Sequence, residues 1–314
     1  MQMFSFNSHS ISKFSIYFTN KKYWQLSQPD TVVKLSLGKY FLNLKERLFD
    51  NHYNTFDDNG IPTRMKDNVP TYNFTTICSY GLANWNMYLE TGNDEYIRKA
   101  ELMARFVLEN GVVTHYNGIV LLSNGKLCAM SHGEALSLIS RVYLVKKDSE
   151  LLKFAKKLLR SYHYFIDNEG IRGHFNEIEA DWLEEKPCIP YKHILNGMIY
   201  STIGLYDVAQ AIPEIGSEAS DLFKEAIVSL QKALPYYDRG YWSSYWYAEE
   251  SKNYIASMMY HNLHVCQLKY LYRITQEDDF KCFAEKFDKY QKVMFYRIYA
   301  GFKLFVHKLM GVAE

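Results

Sequence analysis

From residue 72 onward apolar positions recur at helical spacing, and the segments that carry them come in two kinds. In ICSYGLANWNMYL, SHGEALSLISRVYL, HILNGMIYSTIGLYDVAQAI and IASMMYHNLHVCQLKYLYRI, apolar and small residues cover nearly the whole circumference. EYIRKAELMARFVLEN, SELLKFAKKLLRSYHYFI, SEASDLFKEAIVSLQKALPYY and EDDFKCFAEKFDKYQKVM instead open on Glu or Ser and carry basic residues on one face. A helix that is apolar all round must be buried, whereas a one-faced helix lies outside with its polar side in water. The alternation predicts four helical hairpins, each with an inner and an outer member. That is an all-α fold, an incomplete (α/α) toroid or barrel. The pairs are unevenly spaced, so the architecture repeats without a strict sequence repeat. The concave end of such a toroid is where a chain-like ligand would lie.

The rest of the chain frames this core. Residues 1–70 are aromatic, polar and weakly periodic. They are expected to be an irregular N-terminal segment packing on the barrel, with a short helix around Leu35 to Leu48 and a turn at FDDNGIP (Phe56 to Pro62). VVTHYNGIVLLSNGKLCAM reads as a small β-hairpin insertion, because Asn117-Gly118 and Asn124-Gly125 are turn dipeptides between β-branched runs. Residues 71–288 form the toroid domain and residues 289–314 a basic, aromatic terminal helix. There Lys289, Lys292, Arg297, Lys303 and Lys308 are set against Glu314 as the only acid. Two readings of this helix stand: a last toroid helix packed on the core, or a helix lying in the headgroup region of an anionic leaflet.

Composition narrows the function classes. Lysine plus arginine (36) balance aspartate plus glutamate (35), which argues against a nucleic-acid partner held by phosphate neutralisation. The five cysteines are scattered and contain no CxxC, as expected of reduced thiols in the cytoplasm. Lys13 and several serines interrupt the first stretch, so it lacks the h-region of a signal peptide. A cytoplasmic protein is expected, with peripheral contact at the inner membrane face if the terminal helix binds lipid. The 27 tyrosines suit sugar stacking and a wet helical core equally well.

Three stretches carry candidate chemistry. In DWLEEKPCIP, Asp181, Glu184 and Glu185 crowd against Lys186 just before an apolar helix. Carboxylates beside a cation at the rim of a helical core suit proton transfer, and the same pattern also suits an acidic loop capping a helix N-terminus. LPYYDRGYWSSYWYAEE is either an exposed aromatic platform for sugar faces or a loop with its rings folded inward. In MMYHNLHVCQL, Tyr260 and His264 share a helical face and His261 stands about 100° away. Two histidines could begin a metal site, but no third ligand follows at a diagnostic spacing, so core histidines are the simpler reading and no metal is expected. No Gly-rich phosphate loop and no GxSxG elbow occur, which leaves hydrolase, kinase and dinucleotide readings without support.

Three separated blocks resemble the catalytic domain of the glucuronyl C5-epimerases, over roughly residues 55–275. CAMSHGEALSLISRVYLVKKD is similar to that family's A-M-A-Q-G-Q-G-I-S-A-L-V-R-A-Y-L-L-T-K-D. ADWLEEKPCIPYKHILNGMIYSTIGLYD is similar to W-Y-E-E-Y-P-x-x-P followed by L-N-G-F-M-Y-S-L-I-G-L-Y-D. ALPYYDRGYWSSYWY with MMYHNLHVCQLKYL is similar to L-P-L-Y-D-T-G-S-G-T-I-Y-D-L-R and Y-H-T-T-H-I-N-Q-L-Q-L-L. The resemblance implies an α/α barrel that inverts C5 of a glucuronate residue within a polymer, with no cofactor. It places the essential glutamate at Glu185 and two essential tyrosines at Tyr245 and Tyr260. Lys186 stands where the family has the tyrosine of E-E-Y-P, and Ala248 where it has the arginine of D-L-R. His132 and Glu134 stand at the two glutamines of the first block. Lys186 is therefore expected to act as base or to lower a neighbouring tyrosine's pKa. His132, Glu134, Asn196, Arg239, His261 and His264 are the candidate substrate-binding residues. The expected partner is a uronate-containing glycan, and a homodimer is compatible with the reading. A uronate polysaccharide lyase and a non-catalytic glycan-binding scaffold are the alternatives.

Overall fold

The computed structural model describes residues 15–29, 35–49, 55–67, 69–114, 117–122, 125–248 and 254–309, with the side chains of residues 308 and 309 outside that description. The described chain divides into two compact units, residues 26–232 and residues 1–25 with 233–314.

In the first unit the expected alternation is present. Helices α1 (Phe74–Thr91), α3 (Ala129–Lys146) and α5 (Leu195–Ala211) are apolar all round and deeply buried. Helices α2 (Asp94–Asn110), α4 (Ser149–Arg160) and α6 (Pro213–Tyr237, which runs on into the second unit) bury one face. Asn73, Asn93 and Asp148 cap α1, α2 and α4 by accepting backbone N–H groups of the first turn, which fixes where those helices begin. Helices α3 and α5 cross in near contact of their backbones. A Cβ added at Gly133 would lie 2.3 Å from the Tyr200 carbonyl oxygen, and one at Gly204 would lie 2.4 Å from the Gly133 oxygen. Only glycine at both positions permits this approach. Arg141 on α3 closes the crossing with a buried ion pair to Asp207 on α5 at 2.5 Å. Such a pair contributes little net stability but is costly to break on one side.

Six short strands in three pairs accompany these helices among the described residues. The pair β3 (Val112–Val113) and β4 (Val120–Leu121) is the expected hairpin, with Gly118 at φ 62°; Asn124, the start of the second predicted turn, lies outside the described residues. Strands β1 (Arg64–Lys66) and β2 (Val69–Thr71) pair after the FDDNGIP turn. A third pair, β5 (Arg172–Phe175) with β6 (Ala180–Leu183), has no counterpart in the sequence reading. The helix expected around Leu35 to Leu48 is not formed, apart from a 3-10 turn at Glu46–Leu48. The segment instead spends its backbone groups on α1. Asn86 accepts the Tyr40 N–H at 2.7 Å and donates to the Leu42 carbonyl at 3.1 Å, which buries Tyr40, Phe41, Leu42 and Leu44.

The second unit contains β7 (Ser244–Trp246) paired with β8 (Tyr254–Ile255), then α7 (Met258–Thr275), α8 (Asp278–Lys292) and α9 (Met294–Leu309). Helix α7 is its buried member, and Asn262 on it accepts the Tyr23 and Trp24 N–H groups at 2.8 and 2.7 Å. On α9, Arg297 does not join a cationic outer face. It is turned inward and donates to the Tyr17, Gln291 and Lys292 carbonyls. Lys292 pairs with Asp288 at 2.7 Å, while Phe295 and Phe302 face solvent. The Lys308 side chain and Glu314 lie outside the described residues. No helix among the described residues is long and apolar enough to cross a membrane.

Candidate active site

In the first unit the chemistry gathers where α3 and α5 begin. Strand β6 ends at Leu183, and the Glu184 backbone holds the start of α3, because its carbonyl accepts the Ala129 N–H at 3.0 Å. The two glutamates of DWLEEKP then part company. Glu184 turns into the core and shares a 2.5 Å hydrogen bond with His193, whose ring stacks on Phe175 at 4.2 Å. Burial raises the Glu184 pKa, and His193 only partly offsets that. Glu185 is half-buried and turns to the first turn of α5, where Asn196 donates to its Oε2 at 3.2 Å. Gly197 makes that position possible, because a Cβ there would meet the Glu185 side chain at 2.6 Å. Helix N-termini carry partial positive charge, so the start of α5 favours a carboxylate at this place. Asn196 also touches Met130 on α3, with 3.8 Å from Nδ2 to Sδ.

One helical turn beyond Met130, Glu134 is 4% exposed, and its Oε2 finds no hydrogen-bond partner among the described residues. Burial first, and the charge of Glu185 second, push its carboxyl well above the usual range. Burial and Glu185 also push the Cys128 thiol up to about 11. Glu185, Asn196 and Glu134, three of the candidate residues, lie in this region. Two of their companions differ. His132 is fully buried, with Nδ1 on the Cys128 carbonyl at 2.9 Å and Nε2 on the Val120 carbonyl at 2.8 Å. Both nitrogens are spent on backbone, so His132 is a structural pin of α3 rather than a substrate ligand. Lys186 is exposed, and the burial on which a base role rested is absent.

In the second unit Tyr245 on β7 and Tyr260 on α7 lie side by side, with ring centroids 4.5 Å apart. Ser243 sets this pair. Its N–H donates to His261 Nδ1 at 3.1 Å, and its Oγ lies 2.8 Å from that nitrogen and 2.9 Å from His264 Nδ1. Because His261 Nδ1 accepts a backbone N–H, its proton sits on Nε2, which donates to the Phe287 carbonyl at 2.9 Å. Burial holds His261 down to about 3 and His264 well below the ordinary histidine value. Both are wholly buried, as is Trp242, which stacks on His261 at 3.7 Å. These histidines are therefore corrected from substrate ligands to the clip that joins β7 to α7. The aromatic stretch is likewise not an exposed platform, since Tyr237, Trp242, Tyr245 and Trp246 are all buried. Arg239 is exposed in the turn between Asp238 and Trp242, with its backbone N–H on the Trp242 carbonyl.

A cleft of about 470 Å³ opens between the β5–β6 hairpin and helices α5 and α6; Asp181 of the acidic stretch lines it, and none of the candidate catalytic or substrate-binding residues does. Of its two cations, Arg172 and Lys232, the first is paired within the protein with Asp181 at 3.0 Å and Glu225 at 2.6 Å and also donates to the Tyr162 carbonyl. The cleft is thus lined by part of the second motif block but not by Glu185. The β5–β6 hairpin was missed in the sequence, and its readable signal is opposite charge across the turn. His174 faces Asp181 in the ladder, and both His174 and Arg172 bind that carboxylate.

Comparison with solved structures defines the fold class. A cellobiose 2-epimerase from Bacillus thermoamylovorans superposes with a TM-score of 0.54 at 12% identity, covering 79% of this chain and 68% of that one. One from Spirochaeta thermophila gives 0.50 at 11% identity, covering 76% and 64%. Both are α/α toroids, and the chain has that fold. The family follows from sequence: the chain belongs to the D-glucuronyl C5-epimerase C-terminus family, whose model matches residues 110–289. A D-glucuronyl C5-epimerase of Caenorhabditis elegans is 31% identical over 172 residues, which are 51% of this chain and 28% of that protein. An uncharacterised protein of Methanocaldococcus jannaschii is 25% identical over 168 residues, 52% of each chain. The chain thus spans between about a quarter and half of the length of these relatives.

Proposed function

We propose that the protein is a carbohydrate epimerase that inverts C5 of a glucuronate residue in a polysaccharide or lipid-linked glycan. The observation that carries this reading is the Glu185 carboxylate. It stands in the family-matched region, half-buried, held by the Asn196 amide at the first turn of α5. The side-by-side hydroxyl-bearing rings of Tyr245 and Tyr260 support it from the other motif positions.

The chemistry asks for such groups. C5 lies alpha to a carboxylate, so its proton is very weakly acidic, and the carbanion needs hydrogen-bond donors around the substrate carboxylate. Inversion requires removal of the proton on one ring face and its return on the other. Glu185 is assigned one of these transfers, because a carboxylate fixed by Asn196 is a competent base that needs no cofactor. The other transfer needs a group with a proton to give, and a phenol with a free pKa of about 10 carries one at neutral pH.

The test is incubation with glucuronate-containing polymers in deuterated water. Deuterium at C5 together with iduronate in the product is the expected result. An unsaturated product absorbing in the ultraviolet would replace the epimerase by a lyase, and no exchange with any such polymer would leave a glycan-binding protein.

A further inference from the structure

The group that the proposed proton transfers leave unused is Glu134. It lies on α3, one turn from Met130, whose sulfur touches the same Asn196 amide that holds Glu185. The side chain is buried, and one oxygen is without a partner among the described residues. An ionised carboxylate in such a place would hold one oxygen with neither water nor a hydrogen bond, which favours taking up a proton. Other titratable groups whose charges act with Glu134 in this region are Glu185 ahead of α5, Cys78 on α1, Tyr40 in the segment before α1 and Arg47 in the 3-10 turn. Arg47 is the one cation among them, and its favourable effect on Glu134 is the smallest of the contributions, after burial and the repulsion from Glu185.

We propose that Glu134 and Glu185 work as an acid–carboxylate pair holding one proton between them, with the proton on Glu134 and the charge on Glu185. Glu134 is then a positioning residue, and the inference rests on the epimerase reading for its purpose. In its protonated form it has the shape of glutamine, the residue of the family's first block at this place, and likewise offers both a donor and an acceptor. Without the proton, two carboxylates would confront each other and the carboxylate of an arriving uronate. The pair therefore matches the region to an acidic sugar at neutral pH and opposes such a sugar once the proton is lost.

The test uses no substrate, so its outcome is independent of whether C5 exchange is found. Infrared spectra of protein labelled with carbon-13 glutamate report protonated glutamic acid directly. At pH 7 the parent should show a protonated-glutamate carbonyl component that Glu134→Gln lacks. On raising the pH that component should disappear, and in Glu185→Gln it should disappear at a lower pH, because the repelling charge that keeps the proton on Glu134 is gone. The measured shift in Glu185→Gln is thus expected downward. Identical spectra of parent and Glu134→Gln at pH 7, or an unmoved midpoint in Glu185→Gln, would overturn the pair. Failure of C5 exchange with every uronate polymer would sink the epimerase reading and leave these spectra as they are.

Discussion

The two polar regions of this molecule differ in the kind of group they bury, neutral rings in one and carboxyls in the other. Around β7 and α7, Ser243 joins His261 to His264 and His261 donates its proton to the Phe287 carbonyl, while His264 Nε2 is buried without a partner among the described residues but belongs to a neutral ring. Around the start of α3 and α5, Glu134 is buried with an oxygen that has no partner among the described residues, beside the half-buried Glu185. An unsatisfied buried polar group costs about 1–3 kcal/mol, and more when it is a charged carboxylate. The histidines, which looked most like ligands in sequence, are scaffold. The carboxyl region is where chemistry is left open.

The largest expected effect tests whether the carboxyl region depends on the helix crossing. Gly133→Ala places a methyl 2.3 Å from the Tyr200 carbonyl, with backbone on both sides and nothing free to yield. Overpacking typically costs about 1–3 kcal/mol, and this contact belongs at or above the upper end. A denaturant melt should register that loss, and an unchanged midpoint would mean that α3 and α5 are not in contact as described.

A smaller effect separates the regions by pH. His261 and His264 have folded-state pKa values below the ordinary 6.5, His261 at about 3. Above 6.5 both states are neutral and the clip's contribution is intact. As pH falls below 6.5 the unfolded chain binds protons that the folded clip refuses, so stability is lost down towards pH 3. Glu134 has the opposite sign. Its folded pKa is raised, so its contribution is present below about 4.5 and is lost as pH rises through the folded value. His264→Asn keeps a hydrogen-bonding atom near the Nδ1 position and removes the titration. Melts between pH 8 and 4 should show a shallower acid loss in this variant than in the parent, and parallel curves would detach the histidines from the acid response.

Much of the fold was legible because its signals are local. Helices apolar all round, such as Leu195–Ala211, and acid-capped partners, such as Ser149–Arg160 behind Asp148, announce inner and outer layers without any knowledge of the tertiary structure. The position of Glu185 was legible through its motif. The irregular course of residues 35–49 was not, because Asn86, more than forty residues away, decides it by taking the Tyr40 N–H. The burial of Tyr245 and Trp246 was equally hidden, since it depends on pairing with Tyr254 and Ile255 across a stretch of polar sequence. Lys186 and His132 illustrate the limit for a site. A motif position says which residue type stands there, whereas exposure at Lys186 and two spent nitrogens at His132 are set by neighbours from other elements.

The central claim is that the chemistry rests on the Glu185 carboxylate at the start of α5. Its most direct test is the rate of C5 deuterium exchange in Glu185→Gln, measured beside the parent on the same glucuronate polymer, with thermal melts of both. The account predicts an exchange rate lower by about 10²- to 10⁴-fold, the usual contribution of a general acid or base, with the melting temperature preserved. Exchange at the parent's rate in a folded Glu185→Gln protein would contradict it.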